Sequence, residues 1–153
     1  MPWPFSKRKP SLQIPPEDEQ FWTVAEGDYG GEHLIVRANA TAKRLIGHSR
    51  LPVKLGFAIP LNQPRSGGVP EPSENEVLQA VEELIASRVL AAGAGIHAMT
   101  LTTGAMKEFV FYVAPGLDIE GLHAGLREDV SSHEVHCVAC SEPDWASYRS
   151  FVR

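Results

Sequence analysis

The sequence predicts an α+β fold: a ferredoxin-like split β-α-β sandwich with an antiparallel sheet, its helices on one face, plus an added N-terminal β-hairpin and a C-terminal helix. Three observations predict it. Residues 51–59 alternate between apolar and polar or small, residues 73–92 carry apolar side chains at helical spacing, and two β-rich runs flank Gly104-Ala105. From about Leu51 to Cys140 the elements therefore run β-α-β-β-α-β, with both helices of that unit covering one face. No internal repeat is visible.

The chain opens on a different composition. Residues 1–16 hold five prolines and the cations Lys7, Arg8 and Lys9 without an acid, so they carry +3 of a net charge of -5 and leave -8 to the other 137 residues. Such prolines prevent a regular helix. Residues 1–19 read as a flexible leader ahead of a single domain at 20–153, with weak docking to a membrane surface or a partner left to Trp3, Phe5 and the basic cluster.

Phe21 to Val24 and His33 to Val36 flank the glycine-rich run Gly27 to Gly31 and predict the added hairpin. Residues 38–50 leave a loop or one helical turn open. Leu51, Val53, Leu55, Phe57 and Ile59 then alternate with Pro52, Lys54, Gly56 and Ala58, which makes a strand with one apolar face. Residues 60–73 contain four prolines and two glycines and read as a long loop. Ser73 and Glu76 have capping-box spacing. The helix they start runs to about Ala92, with Val77, Leu78, Val81, Leu84, Ile85 and Val89 on one face, Glu74, Glu82 and Glu83 off it, and Gly93 or Gly95 as a left-handed stop.

Ile96 to Thr103 and Lys107 to Ala114 make a second hairpin around Gly104-Ala105. Asp118 caps a helix carrying Leu122 and Leu126. A last strand, Glu134 to Cys140, precedes Pro143, which suits the first turn of a helix with Asp144 near its start and Trp145, Tyr148 and Val152 on one side.

A chain of 153 residues, 43% hydrophobic and 22% charged, is one ordinary domain that buries roughly two thirds of its unfolded surface without staples. Two Cys build no disulfide framework. No window approaches the about 18 consecutive apolar residues of a membrane span, and the N-terminal region lacks the apolar core of a secretory signal. The expected location is the cytoplasm, where thiols stay reduced.

Two clusters invite chemistry. His133, His136, Cys137 and Cys140 combine H-x-x-H with C-x-x-C, a zinc-like spacing. In an extended strand, however, residues three apart point to opposite faces, so a structural strand is expected and no metal. Lys107 to Val113 partly matches the aromatic strand of RNA-recognition domains. Glu108 stands where Gly belongs, Val110 where a small residue belongs, and the acidic domain repels phosphates, so nucleic acid is not an expected partner. His33, His48, His97 and His123 are dispersed, with no triad spacing. No catalytic residue and no cofactor are expected.

Leu101-Thr102-Thr103-Gly104, Glu108 to Val113 and Glu142 to Tyr148, with its D-W-x-x-Y ending, resemble the bacterial domain-of-unknown-function family 695 over roughly Phe21 to Val152. The resemblance implies a small α+β domain, sometimes found beside a domain similar to the regulator of ribonuclease activity B, with no established activity to carry over. The functional expectation is a non-enzymatic protein-interaction or regulatory module. The alternative is a small-molecule-binding or hydrolytic domain on the sheet face that the helices leave open. There Lys54, Gly56 and Ala58 stand beside Val110 and Tyr112, and loop 60–73 would serve as a lid. Trp145 and Tyr148 are expected to pack on the sheet, with a contribution to a partner-binding groove as the alternative.

Overall fold

The computed structural model describes residues 11–65 and 68–152; Trp3, Phe5 and the basic cluster lie outside the described residues. The first strands, β1 (Trp22–Tyr29) and β2 (Glu32–Asn39), pair antiparallel around Gly30-Gly31. These glycines have φ of 60° and 87°, the left-handed pair that a tight hairpin turn demands and that glycine supplies without a Cβ clash. Gly27 and Asp28, expected in the turn, belong to β1 opposite Leu34 and His33. The open stretch after β2 resolves into a 3-10 helix, Ala40–Leu45, begun by the Asn39 side chain accepting from the Thr41 N–H.

The alternating run forms β3 (Val53–Pro60), and the helical run forms α1 (Pro72–Ala92). The expected capping box does not form. Pro72 occupies the first helical position, which suits a residue with fixed φ and no N–H to leave unpaired, and Ser73 falls inside the first turn. Glu74 and Glu82 were expected off the apolar face but are buried in it, whereas Val77 is exposed. Gly93 provides no left-handed stop; its φ of 171° is extended backbone. The chain passes directly into β4 (Gly95–Thr102), where a Cβ on Gly95 would lie 2.7 Å from Val113 Cγ1.

β4 turns into β5 (Met106–Val113), and Asp118 caps α2 (Ile119–Asp129) by accepting from the Gly121 N–H at 3.0 Å, as its position predicts. β6 (His136–Ser141) is followed by α3 (Ala146–Phe151). α3 begins later than Pro143 predicts, because Trp145 adopts a left-handed backbone, φ 58° and ψ 38°, that breaks the helix before it. Asp144 therefore precedes the helix and accepts from the Ala146 N–H at 3.3 Å.

All neighbouring strands are antiparallel in one six-stranded sheet of order β1-β2-β4-β5-β3-β6. This order is more elaborate than a four-stranded unit, since the hairpin extends the sheet beyond β4. Period-2 alternation sends Leu55, Phe57, Phe109 and Phe111 to one face, where α1 and α2 cover them with Leu78, Ile85, Val89 and Leu126. Ile96, Met99, Val110 and Tyr112 go to the other face. They pack there with the 3-10 helix, Trp145 and Tyr148, so the C-terminal helix lies opposite α1 and α2. Leu12 and Ile14 pack against that second cluster.

Candidate functional site

α3 has only six residues, too few to cover the second face, and the uncovered part forms a groove of about 460 Å³. Its floor is Leu34 of β2, Met99 and Leu101 of β4, and Val110 of β5; one wall is Phe151 with the adjoining turn of α3, the other the β4–β5 tip. The cross-strand register explains the floor, since Met99 stands opposite Val110 and Leu101 opposite Glu108, one step out of phase with the residues facing α1. Lys54, Glu108 and Glu32 add charge.

Lys54 Nζ donates to Ser147 Oγ at 2.9 Å and lies 4.0 Å from Glu142 Oε2. Burial pushes the Glu108 carboxyl up while Lys54 draws it back. Ser147 beside Lys54 suggests a nucleophile, but its hydroxyl donates to Glu142 Oε1 at 2.7 Å and its N–H to the same oxygen at 2.6 Å. The carboxylate thus caps the start of α3. It also accepts from Tyr112 Oη at 3.1 Å, and that phenol oxygen accepts the Tyr148 N–H at 3.2 Å. Burial pushes both phenols up, Tyr148 to about 12, so each serves as a hydroxyl donor.

The residues singled out in the sequence separate here. Lys54 and Val110 line the groove. Tyr112, Trp145 and Tyr148 are fully buried beneath it, with the indole stacked on Tyr112 at 4.0 Å between ring centroids and donating to the Leu51 carbonyl at 2.9 Å. The room left by Gly56 is taken by Glu108, whose Oε1 would be 2.9 Å from a Cβ at that position. Ala58 stands opposite Glu108 on β3, half-buried. Among the described residues, none of loop 60–73 lines the groove. The loop is strapped instead to the hairpin tip, where Arg65 and Leu61 donate their N–H groups to the Gly104 and Ala105 carbonyls. Gly104 permits this approach, for a Cβ would fall 1.7 Å from the Arg65 carbonyl oxygen.

Sequence reasoning missed two buried polar groups. Glu82 Oε1 accepts from Arg37 Nη2 at 2.5 Å and its Oε2 from Thr100 Oγ1 at 2.6 Å, with His97 Nε2 3.1 Å from that hydroxyl. Burial pushes the His97 ring down to about 4, with Glu82 drawing it up, so the ring is neutral at pH 7. Glu74 Oε2 lies 2.6 Å from His133 Nε2 and accepts from the Asn62 N–H at 2.7 Å. The signal was legible: Glu74 and Glu82 each lie four residues from Leu78, in phase with the apolar stripe.

In the His-Cys cluster, Cys137 stands opposite Phe57 and Cys140 opposite Lys54, on opposite faces of the sheet as the strand argument requires. His133 is committed to Glu74. Among the described residues no group of three or more His, Cys, Asp or Glu is placed to hold a metal ion. Phe109 and Phe111 are buried and present no ring for base stacking. No helix among the described residues is long and apolar enough to cross a membrane.

An antiparallel six-stranded sheet flanked by helices, with one apolar groove, defines an α+β domain with a built concavity. A protein-family model, the family of unknown function DUF695, matches residues 20–152, and the chain belongs to that family. No curated protein and no solved structure matches it.

Proposed function

We propose that the chain is a non-enzymatic cytoplasmic binding domain, its body at residues 20–153 joined by the packed side chains of Leu12 and Ile14, that holds a small apolar molecule with one polar end in the groove beside α3. The groove itself carries this reading. Its volume of about 460 Å³ falls in the roughly 300–1,000 Å³ range of small-molecule sites, its floor is apolar, and Lys54 with Glu108 supplies polar contacts at one side. The strand order β6-β3-β5-β4 supports reading the scaffold as a ferredoxin-like unit extended by β2 and β1. Titration with the neutral dye N-phenyl-1-naphthylamine tests the groove. Saturable binding to the folded protein, lost in Ser150→Trp, is expected; equal binding by that variant, whose new ring fills the groove from exposed α3, would overturn the assignment.

A regulatory protein partner is the second reading, and one observation favours it. β6 is an exposed edge strand of sequence HCVACS with no Lys, Asp, Glu or Pro to blunt it, and such an edge is open to strand addition. A partner captured by the parent protein and lost with Val138→Lys supports it; identical capture by both counts against it.

A further inference from the structure

A second cavity, of about 450 Å³, lies on the opposite face of the sheet, between α1 and the outer strands β1 and β2. It is unlike the groove beside α3. Two cations project into it, Arg37 from β2 and Lys107 from β5, with β4 between them in the sheet, Thr100 opposite Arg37 and Thr102 opposite Lys107, and with Asn75 and Gln79 on the α1 side. Val24 and Ile35 form an apolar side, and Val69 and Pro70 of loop 60–73 close one end.

The cations are held in place before any ligand arrives. Arg37 is fixed by Glu82 at 2.5 Å and lies 4.7 Å over the Trp22 ring, and Lys107 Nζ donates to Asn75 Oδ1 at 3.1 Å. Each bond consumes one donor, and a guanidinium has five and an ammonium three. Glu82 is the acid in the lining, and it is already engaged by Arg37 and Thr100. The lining therefore carries one uncompensated positive charge inside a chain of net charge -5. Burial lowers the Lys107 pKa, with Glu82 raising it and Arg37 lowering it again, which is the field an added anion relieves.

We propose that this cavity binds the carboxylate of a small molecule between Arg37 and Lys107, with the apolar body of that molecule against Val24 and Ile35. One unit of excess charge matches a monoanionic carboxylate better than a dianionic phosphate. A carboxylate is acceptor-only, with two oxygens, and Lys107 and Arg37 offer donors from two strands. Side chains already immobilised by Glu82, Trp22 and Asn75 lose little further freedom on binding. Val69 and Pro70 acquire a role here, as one end wall of this cavity.

Benzoate and its neutral counterpart benzamide are the probes, followed by amide chemical shifts of the full chain. Saturable shifts at Thr100, Thr102, Lys107 and Gln79 with benzoate below about 10 mM, and weaker binding of benzamide by at least about tenfold, are expected. Lys107→Met should weaken benzoate by about tenfold or more. Gln79→Glu, an exposed substitution on α1 that adds an acid to the cavity, should weaken it as well and decides the matter if Lys107→Met fails to fold. Ser150→Trp should leave benzoate binding unchanged. The proposal is overturned if benzamide binds as tightly, if no saturation is reached, if the folded cavity variants keep parental affinity, or if Ser150→Trp removes the binding.

Discussion

Trp145 combines an uncommon backbone with a large buried surface. A non-glycine residue in the left-handed region costs energy, and here φ 58° is offset by a fully buried indole that stacks on Tyr112 and donates to Leu51. Truncating a buried Trp typically costs about 3–5 kcal/mol, a large share of the roughly 5–15 kcal/mol that holds a domain together. Trp145→Ala should be poorly soluble or melt far below the parent. A parental melt would mean that the ring packs elsewhere and is free to contact partners. The packing of Trp145 and Tyr148 was legible from their spacing, but the left-handed bend was not, since nothing in E-P-D-W announces it.

The hairpin β1–β2 and the strand β6 show how far local pattern reaches. Gly31 needs its positive φ of 87°, whereas a Cβ on Gly27 meets nothing within 4 Å in extended backbone. Gly31→Ala should therefore cost about 1–2 kcal/mol and speed amide exchange in β1, while Gly27→Ala should be neutral or slightly stabilising. Comparable melts for the two would contradict the turn assignment. On β6 the alternation separates the thiols: Cys140 is exposed, and burial pushes the half-buried Cys137 thiol up. With the aromatic disulfide reagent DTNB at pH 8, Cys140 should react fast and Cys137 slowly; equal rates would show that the strand does not hold its faces.

Across the molecule, Glu74 ties three distant segments together: α1, the start of loop 60–73 through the Asn62 and Gln63 N–H groups, and the segment before β6 through His133. Burial alone would raise its carboxyl, but these N–H donors and the His133 ring outweigh burial and hold it below the ordinary glutamate range. A carboxyl depressed in the folded state stabilises the fold above its unfolded pKa, and that contribution is lost as pH falls through the lower, folded value. Glu74→Gln should therefore lower the urea midpoint at pH 7, and the gap to the parent should close as pH falls through the depressed folded value and the parent carboxyl takes up its proton. A gap that never narrows as the pH is lowered to the point where the parent itself unfolds would show that the charge of Glu74 is not what fastens these segments.

The sequence by itself determined the elements and the family. Alternation in β3, the extent of α1 to Ala92, the Gly104 turn and the Asp118 cap all depend on residues a few positions apart, so their physics is written locally. Only the tertiary structure decided which face α3 covers, that Glu108 fills the space above Gly56, and that Glu82 meets Arg37 and Thr100, 45 and 18 residues away. A buried acid is stable only with partners, and partners that far along the chain are chosen by strand order and register. Both cavities arise in the same way, between elements that no local pattern brings together, and so Lys54 and Val110 could be read as groove residues while Met99, Arg37 and Lys107 could not.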